Sequence, residues 1–408
     1  MRLRKLATLA AAAAFVFVAC SGDGGTDGEK GTVQVWSELP RQGSSKGQSD
    51  TIVNAIKLAL DERGGVIDGW TIKYVDQDDS TAEAGAWTPE RATAIATEAA
   101  ATDDLVAYIG TFNSGAAKIG IPILCGAGIP MVSPANTYPG LTKPGKGEAD
   151  EPGKYYPNGC QHNYYRVIPA DDLQGFAGAS WAKDLGAAKV YVIDDSQIYG
   201  KGVADVFEAS AKEIGLEVLG HDQITGKETD YKALAEKIKG GAPDLVYFGG
   251  ITQQNAGQLW RDLRAAMADV KLMGPDGIYE DAFIEAAGEA AEGTYITFGG
   301  IGPENYEGAA AEFRDTYREK YGELQGYTIY GYEAANVVFD AIERASKAGA
   351  KTAEELRKGV LDALADWKDY EGTLGTWSFD ANGDTSLTVF AGFEVQDGKF
   401  VETTKLGE

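Results

Sequence analysis

Two short polar turns, GTFNSG at residues 110–115 and PANT at residues 134–137, carry the residue types best suited to hold a small charged group. The first follows LVAYIG, which reads as a buried strand, and it leads into a helix opening at Ser114. A helix start presents unpaired backbone N–H groups and a partial positive charge, so Ser114 and Gly115 form a natural seat for a small anion. The second turn closes a strand written IPMVS. In an α/β sheet the carboxyl ends of neighbouring strands face one crevice, so Ser114 should look at the same spot as Ala135 and Thr137. Bond-making chemistry is not signalled. The chain has no GxSxG elbow, no P-loop and no metal-spaced His/Glu set, and His162 and His221 are its only imidazoles. No metal site or cofactor is expected, and the reading is of a protein that binds without turnover.

The elements that position these turns repeat the order strand, loop, helix. TVQVW predicts a first strand. DTIVNAIKLALDERGG places Ile52, Ile56, Ala59, Leu60 and Arg63 on one helical face before a Gly pair stops it. TIKYV, PERATAIATEAA and LVAYIG continue as strand, helix and strand. From NYYRVIPADDLQGF onward a second unit follows the same grammar through KVYVIDDSQIYGKG, DLVYFGG, VKLMGPDG and GTYITFGG. Alternation at this spacing predicts an α/β fold with mostly parallel sheets flanked by helices. Three helical segments come next, and the tail LGTWSFDANGDTSLTVFAGFEVQDGKF should form short antiparallel strands around a DANGD turn.

The 408 residues are 44% hydrophobic and 24% charged, enough for two ordinary cores. With 37 basic and 62 acidic residues the net charge is −25, which disfavours nucleic acid as a partner. The N-terminus MRLRKLATLAAAAAFVFVAC has basic residues ahead of an apolar run too short to span a bilayer, the layout of an export signal. Residues 17–20, FVAC, resemble the lipobox of bacterial lipoproteins, with Phe17 departing from the usual Leu. That resemblance implies a signal peptide over 1–19, lipidation of Cys20 and a Gly-rich tether over 20–31, in place of an ordinary secretory signal. Cys125 and Cys160 then remain, either as a disulfide framing LTKPGKGEADEPGKYYPNG or as two free buried thiols.

Taken together, DERGGVIDG, DQDDS, YIGTFNSG, GIPMVSPANT, PADDLQG, DDSQIYGKG, ETDYKAL, PDLVYFGG, MGPDG and AAEGTY resemble the type I periplasmic binding proteins. Within these the likeness is to the branched-chain amino acid (leucine/isoleucine/valine) family serving ABC transporters, and it runs from about Thr32 to the C-terminus. It implies two lobes, each a mostly parallel sheet flanked by helices, joined by a multi-strand hinge. The N-terminal lobe would take 32–166 and 298–370, and the C-terminal lobe 167–297 and 371–408. It further implies that Ser114 and Thr137 hold a ligand carboxylate, that the Ala135 carbonyl accepts from its ammonium, and that Tyr199 and Asp276 meet that ammonium from the other lobe. Tyr327 matches an aromatic near the side-chain pocket.

The implied ligand is an amino acid, branched-chain or otherwise aliphatic, passed to a membrane permease from an extracytoplasmic, lipid-anchored position. The alternative is a sensor for an amide or another small polar solute, docking a receptor. Two departures bear on ligand identity: Asp276 stands where the family carries a longer Glu, and Ile251-Thr252 replace an aromatic after Gly249-Gly250. Asp76, Asp78 and Asp79 lack the spacing of a calcium loop, and Asp171 and Asp172 read as helix-start acids.

Overall fold

The computed structural model describes residues 29–407; the expected signal peptide, Cys20 and nearly all of the expected tether lie outside them. Parallel pairing organises both sheets. The first contains β1 (Gly31–Leu39), β2 (Trp70–Asp78), β3 (Leu105–Gly110), β4 (Met131–Ser133) and β5 (Tyr164–Arg166) in the order β2-β1-β3-β4-β5. These five run parallel, and the short strand Val66–Ile67 pairs antiparallel on the outer edge of β2. The second contains β6 (Lys189–Asp194), β7 (Glu217–Gln223), β8 (Leu245–Gly249), β9 (Lys271–Gly274), β10 (Thr294–Gly299), β11 (Phe390–Gln396) and β12 (Lys399–Leu406). Its order is β7-β6-β8-β9-β10-β11-β12, parallel as far as β10 and antiparallel beyond. The α/β, two-lobe expectation therefore holds.

Sequence explains why these strands are central. LVAYIG of β3 and LVYFG of β8 are buried at every position, the mark of a parallel strand covered on both faces. The side chains of β3 divide between two cores. Val106, Ala107 and Ile109 belong to the core that includes residues of α1 (Lys46–Glu62) and α10 (Thr328–Lys347), whereas Leu105 and Tyr108 belong to the one that includes residues of α2 (Pro89–Ala100) and α3 (Ser114–Gly126). Helix α2 is started by Thr88, whose hydroxyl accepts from Arg91 N at 3.3 Å, with Pro89 in the first turn. Helix α1 begins at Lys46, four residues before the apolar repeat predicts. Its first turn buries Gln48 and Ser49, which a hydrophobic pattern does not register.

The chain passes between the sheets three times: from β5 into α4 (Asp171–Asp184), from β10 toward α10, and from the hairpin Tyr370–Gly372/Gly375–Trp377 into β11. The tail thus forms two hairpins, and β11 and β12 complete the second sheet. Asp384 of the DANGD turn faces inward instead of standing at a free hairpin tip.

Cys125, in α3, and Cys160 are joined by a disulfide across 35 residues of sequence. It holds the segment after β4 against its own lobe. Replacing both cysteines with serine should lower the unfolding free energy in a denaturant titration by about 4 kcal/mol, the chain-entropy value for a loop of this size. An unchanged midpoint would show that this closure contributes nothing.

Candidate functional site

The two polar turns of the first lobe are bolted together by their own side chains. Ser133 Oγ, at the end of β4, accepts from Ala135 N at 3.1 Å and Asn136 N at 2.9 Å, and donates to Thr111 O at 2.9 Å. Asn136 Nδ2 donates to Phe112 O at 2.8 Å, and Tyr138 N reaches Ser114 Oγ at 3.4 Å. From behind, the buried Arg166 donates to Tyr138 O at 2.8 Å and Asn136 O at 3.3 Å, and its Nε bonds Asp384 at 2.6 Å. Strand-end placement brings Ser114 and Ala135 to one crevice, and this network fixes the turn that carries Ala135 and Thr137. Asn113 precedes α3 in extended conformation without capping it through its side chain. Its Oδ1 and the Thr137 hydroxyl are buried and have no hydrogen-bond partner.

The second lobe contributes Tyr199 from the first turn of α5 (Ile198–Glu213) and Asp276 from the turn after β9. Tyr199 OH donates to Asp276 Oδ1 at 2.6 Å and accepts from Gly277 N at 2.9 Å. Only glycine fits at 277: a Cβ there would lie 2.5 Å from Gly250 O and 2.7 Å from the Tyr199 ring. Tyr327, from the first lobe, hydrogen-bonds Asp276 Oδ2 through its hydroxyl. Its ring stands edge-on to Phe112 and Phe298, at 5.4 and 5.2 Å. Asp276 is therefore gripped from both lobes, and the structure is closed over the cleft.

Between these groups lies a cavity of about 40 Å³. It touches Ser114, Ala135, Tyr199, Asp276 and Tyr327 of the predicted residues, together with Trp87, Gln48 and Glu280. Trp87 roofs the helix start so closely that a Cβ at Gly115 would meet its ring at 2.5 Å. Thr137 does not line the cavity directly; its backbone carbonyl takes Asp171 N at 2.9 Å.

Asp171 is the residue the sequence reading undervalued. It does open α4, as a helix-start acid should, yet it is wholly buried and neither carboxylate oxygen has a partner. Burial, and then the negative charge of Asp276, push its carboxyl well above the ordinary range. Burial likewise raises Asp276, while hydroxyls from Tyr199 and Tyr327 and the Gln174 amide act the other way. Asp172 behaves as read, pairing with Lys143 at 2.7 Å. Two adjacent buried acids with hydroxyl donors beside them and no ion pair of their own, the Arg166 charge reaching only Asp171 and being already paired with Asp384, form a receptor for a small cationic group. The backbone N–H groups at the α3 start and the Thr137 hydroxyl suit an anion, whereas Asn113 Oδ1, an acceptor, suits a ligand donor. Asp76 and Asp78 are engaged by Arg41, Gln42 and Ser80.

A family model described as "periplasmic binding protein" matches residues 38–399. A Leu/Ile/Val-binding protein of Rhizobium johnstonii is 27% identical over 366 residues, covering 89% of this chain and 91% of that protein. Among solved structures, the branched-chain amino acid substrate-binding protein LivJ of Streptococcus pneumoniae, in complex with isoleucine, superimposes with a TM-score of 0.75 at 26% identity, covering 91% of this chain and all of that one. A solute-binding protein of R. palustris in complex with benzoate shares the fold, with a TM-score of 0.74 at 20% identity over 92% of this chain and 96% of that one.

Buried acids make stability depend on pH with a defined sign. Burial lifts Asp79, Asp195 and Glu280 to about 7 each. A raised acid binds its proton more tightly in the folded state, so stability falls as pH rises from the unfolded carboxylate range through 7. His221, raised first by its bond to Asp194, adds to the trend, and His162, lowered by burial, opposes it. The melting temperature without ligand should therefore be higher at pH 5.5 than at pH 8, and Asp79→Asn should flatten the slope. A rise in melting temperature from pH 5.5 to 8 would contradict this assignment.

Proposed function

We propose, from the premise that the chain belongs to the periplasmic binding protein family, that it captures an α-amino acid between its lobes and presents it to the permease of an ABC transporter. The observation that carries this reading is the pairing of opposite receptors in one closed cleft. Asp276 and Asp171 supply buried negative charge, and the α3 start with Ser114 supplies the anion seat. A free amino acid carries both charged groups on one carbon, and a buried charge left unmatched costs several kcal/mol. The names of the relatives, for leucine, isoleucine and valine, support an amino acid and make aliphatic side chains the first to test.

On this reading Ser114 and Thr137 bind the carboxylate, the Ala135 carbonyl and the Tyr199–Asp276 pair bind the ammonium, and Tyr327 closes the cleft. Asp171 reinforces the negative field behind Asp276. The lobes comprise 32–166 with 298–370, and 167–297 with 371–408, and closure about the three crossings traps the ligand. The lipobox-like FVAC makes Cys20 the membrane anchor on the extracytoplasmic side, with the Gly-rich segment after it as tether. The chain acts as a carrier and not as an enzyme.

In a thermal-shift panel of the twenty amino acids, small amides and short carboxylates, an amino acid at about a hundred times its Kd should add roughly 2.7 kcal/mol of stability. Ser114→Ala should weaken that binding by about tenfold, the value of one charge-assisted hydrogen bond. A complete panel without a shift would overturn the reading.

A further inference from the structure

The cleft holds a feature that a hydrocarbon side chain leaves unanswered. Glu280, just ahead of α8 (Asp281–Ala287), lines the same cavity as Asp276 and Ser114. It is 4% exposed, and its Oε1 has no hydrogen-bond partner. It does not cap α8 with its side chain, so it has no local backbone task. Beside it stand the hydroxyls of Thr252 and Ser45, which can each offer one hydrogen bond but no positive charge. Thr252 is buried with an unpartnered hydroxyl, and Gln253 donates its amide to Ser45 across the cleft while its own carbonyl oxygen stays unpartnered. No lysine, arginine or histidine lines the cavity.

Closing this cleft on an aliphatic side chain would bury Glu280 against hydrocarbon with only neutral hydroxyls beside it, a loss that a ligand N–H would reduce. We propose that Glu280 is a specificity residue, and that the preferred ligand is an amino acid whose side chain carries N–H donors: a carboxamide, a guanidinium or an ammonium. This rests on the amino-acid reading above and narrows the side chain. With Asp276 and Glu280 both buried in the wall of one small cavity and a single α-ammonium to set against them, the charge count favours the cationic members. Ser45 and Gln48, from the loop before α1 and its first turn, complete the polar end of the cavity. Thr252 stands beside Glu280, and Ile251 ahead of it lines the cavity.

Isothermal titration of the purified protein with L-leucine, L-glutamine, L-ornithine and L-arginine tests this, using wild type, Glu280→Leu and Glu280→Gln. At least one nitrogen-bearing ligand should bind wild type tenfold or more tightly than leucine. Glu280→Leu should reverse that order, and Glu280→Gln, which keeps the shape, should weaken ornithine and arginine at least tenfold while glutamine changes less. Circular dichroism checks that each variant is folded, and the Gln variant decides the matter if the Leu variant is not. A wild-type preference for leucine, or an order of affinities untouched by both variants, overturns the role of Glu280 while leaving the amino-acid reading in place. Silence from all four ligands overturns the preference assigned to Glu280, and silence across the whole amino-acid panel overturns the amino-acid reading as well, each distinct from a leucine preference.

Discussion

The site depends on one buried carboxylate, Asp276, which receives hydroxyls from both lobes and meets no cation. A carboxylate in that position is costly to keep ionised, and Asp171 beside it makes the cost larger. Such an arrangement persists when a ligand is to supply the missing positive charge. The surrounding architecture serves this constraint. Gly277 lets the turn approach Tyr199 and Gly250, Tyr199 is delivered by the first turn of α5, and Tyr327 reaches across from the opposite lobe. Lobe closure and charge pairing are therefore the same event seen at two scales.

The opposite wall is built for rigidity. Ser133 and Asn136 tie the ends of β3 and β4 into one unit, and Arg166 holds that unit from below while its own charge is met by Asp384. A buried arginine deprived of such a partner would cost about 3–5 kcal/mol. Asp384 arrives from the third crossing between the lobes, so the anion seat and the hinge share one buried ion pair. The first lobe thus offers a preformed surface, and the second brings its acids to it.

Much of this was legible in the sequence. Alternating strand and helix patterns gave the α/β class, and the continuous apolar runs at β3 and β8 marked the sheet centres, because burial on both faces leaves no polar phase. Ser114 and the turn carrying Ala135 and Thr137 could be placed together because strand ends in such sheets share an edge. Asp171 and Glu280 were another matter. Each sits at a helix start, where an acid is ordinary, and no local pattern reports whether its carboxylate is solvated or sealed under another lobe. The same limit applies to Asp384, whose DANGD setting reads as a hairpin tip and whose partner lies 218 residues earlier. Long-range burial of a polar group has no signature at short range.

The central claim is that the cleft recognises an α-ammonium together with a carboxylate. Calorimetric titration with matched pairs differing only in that amino group, L-glutamine against 4-carbamoylbutanoate and L-leucine against 4-methylpentanoate, addresses it most directly. The account predicts that whichever amino acid binds loses at least a hundredfold in affinity with its amino group, about 2.7 kcal/mol, since Asp276 and Asp171 would then be buried beside an anion with nothing between. Equal or tighter binding of the deaminated acid would contradict it and would assign the cleft to simple carboxylates.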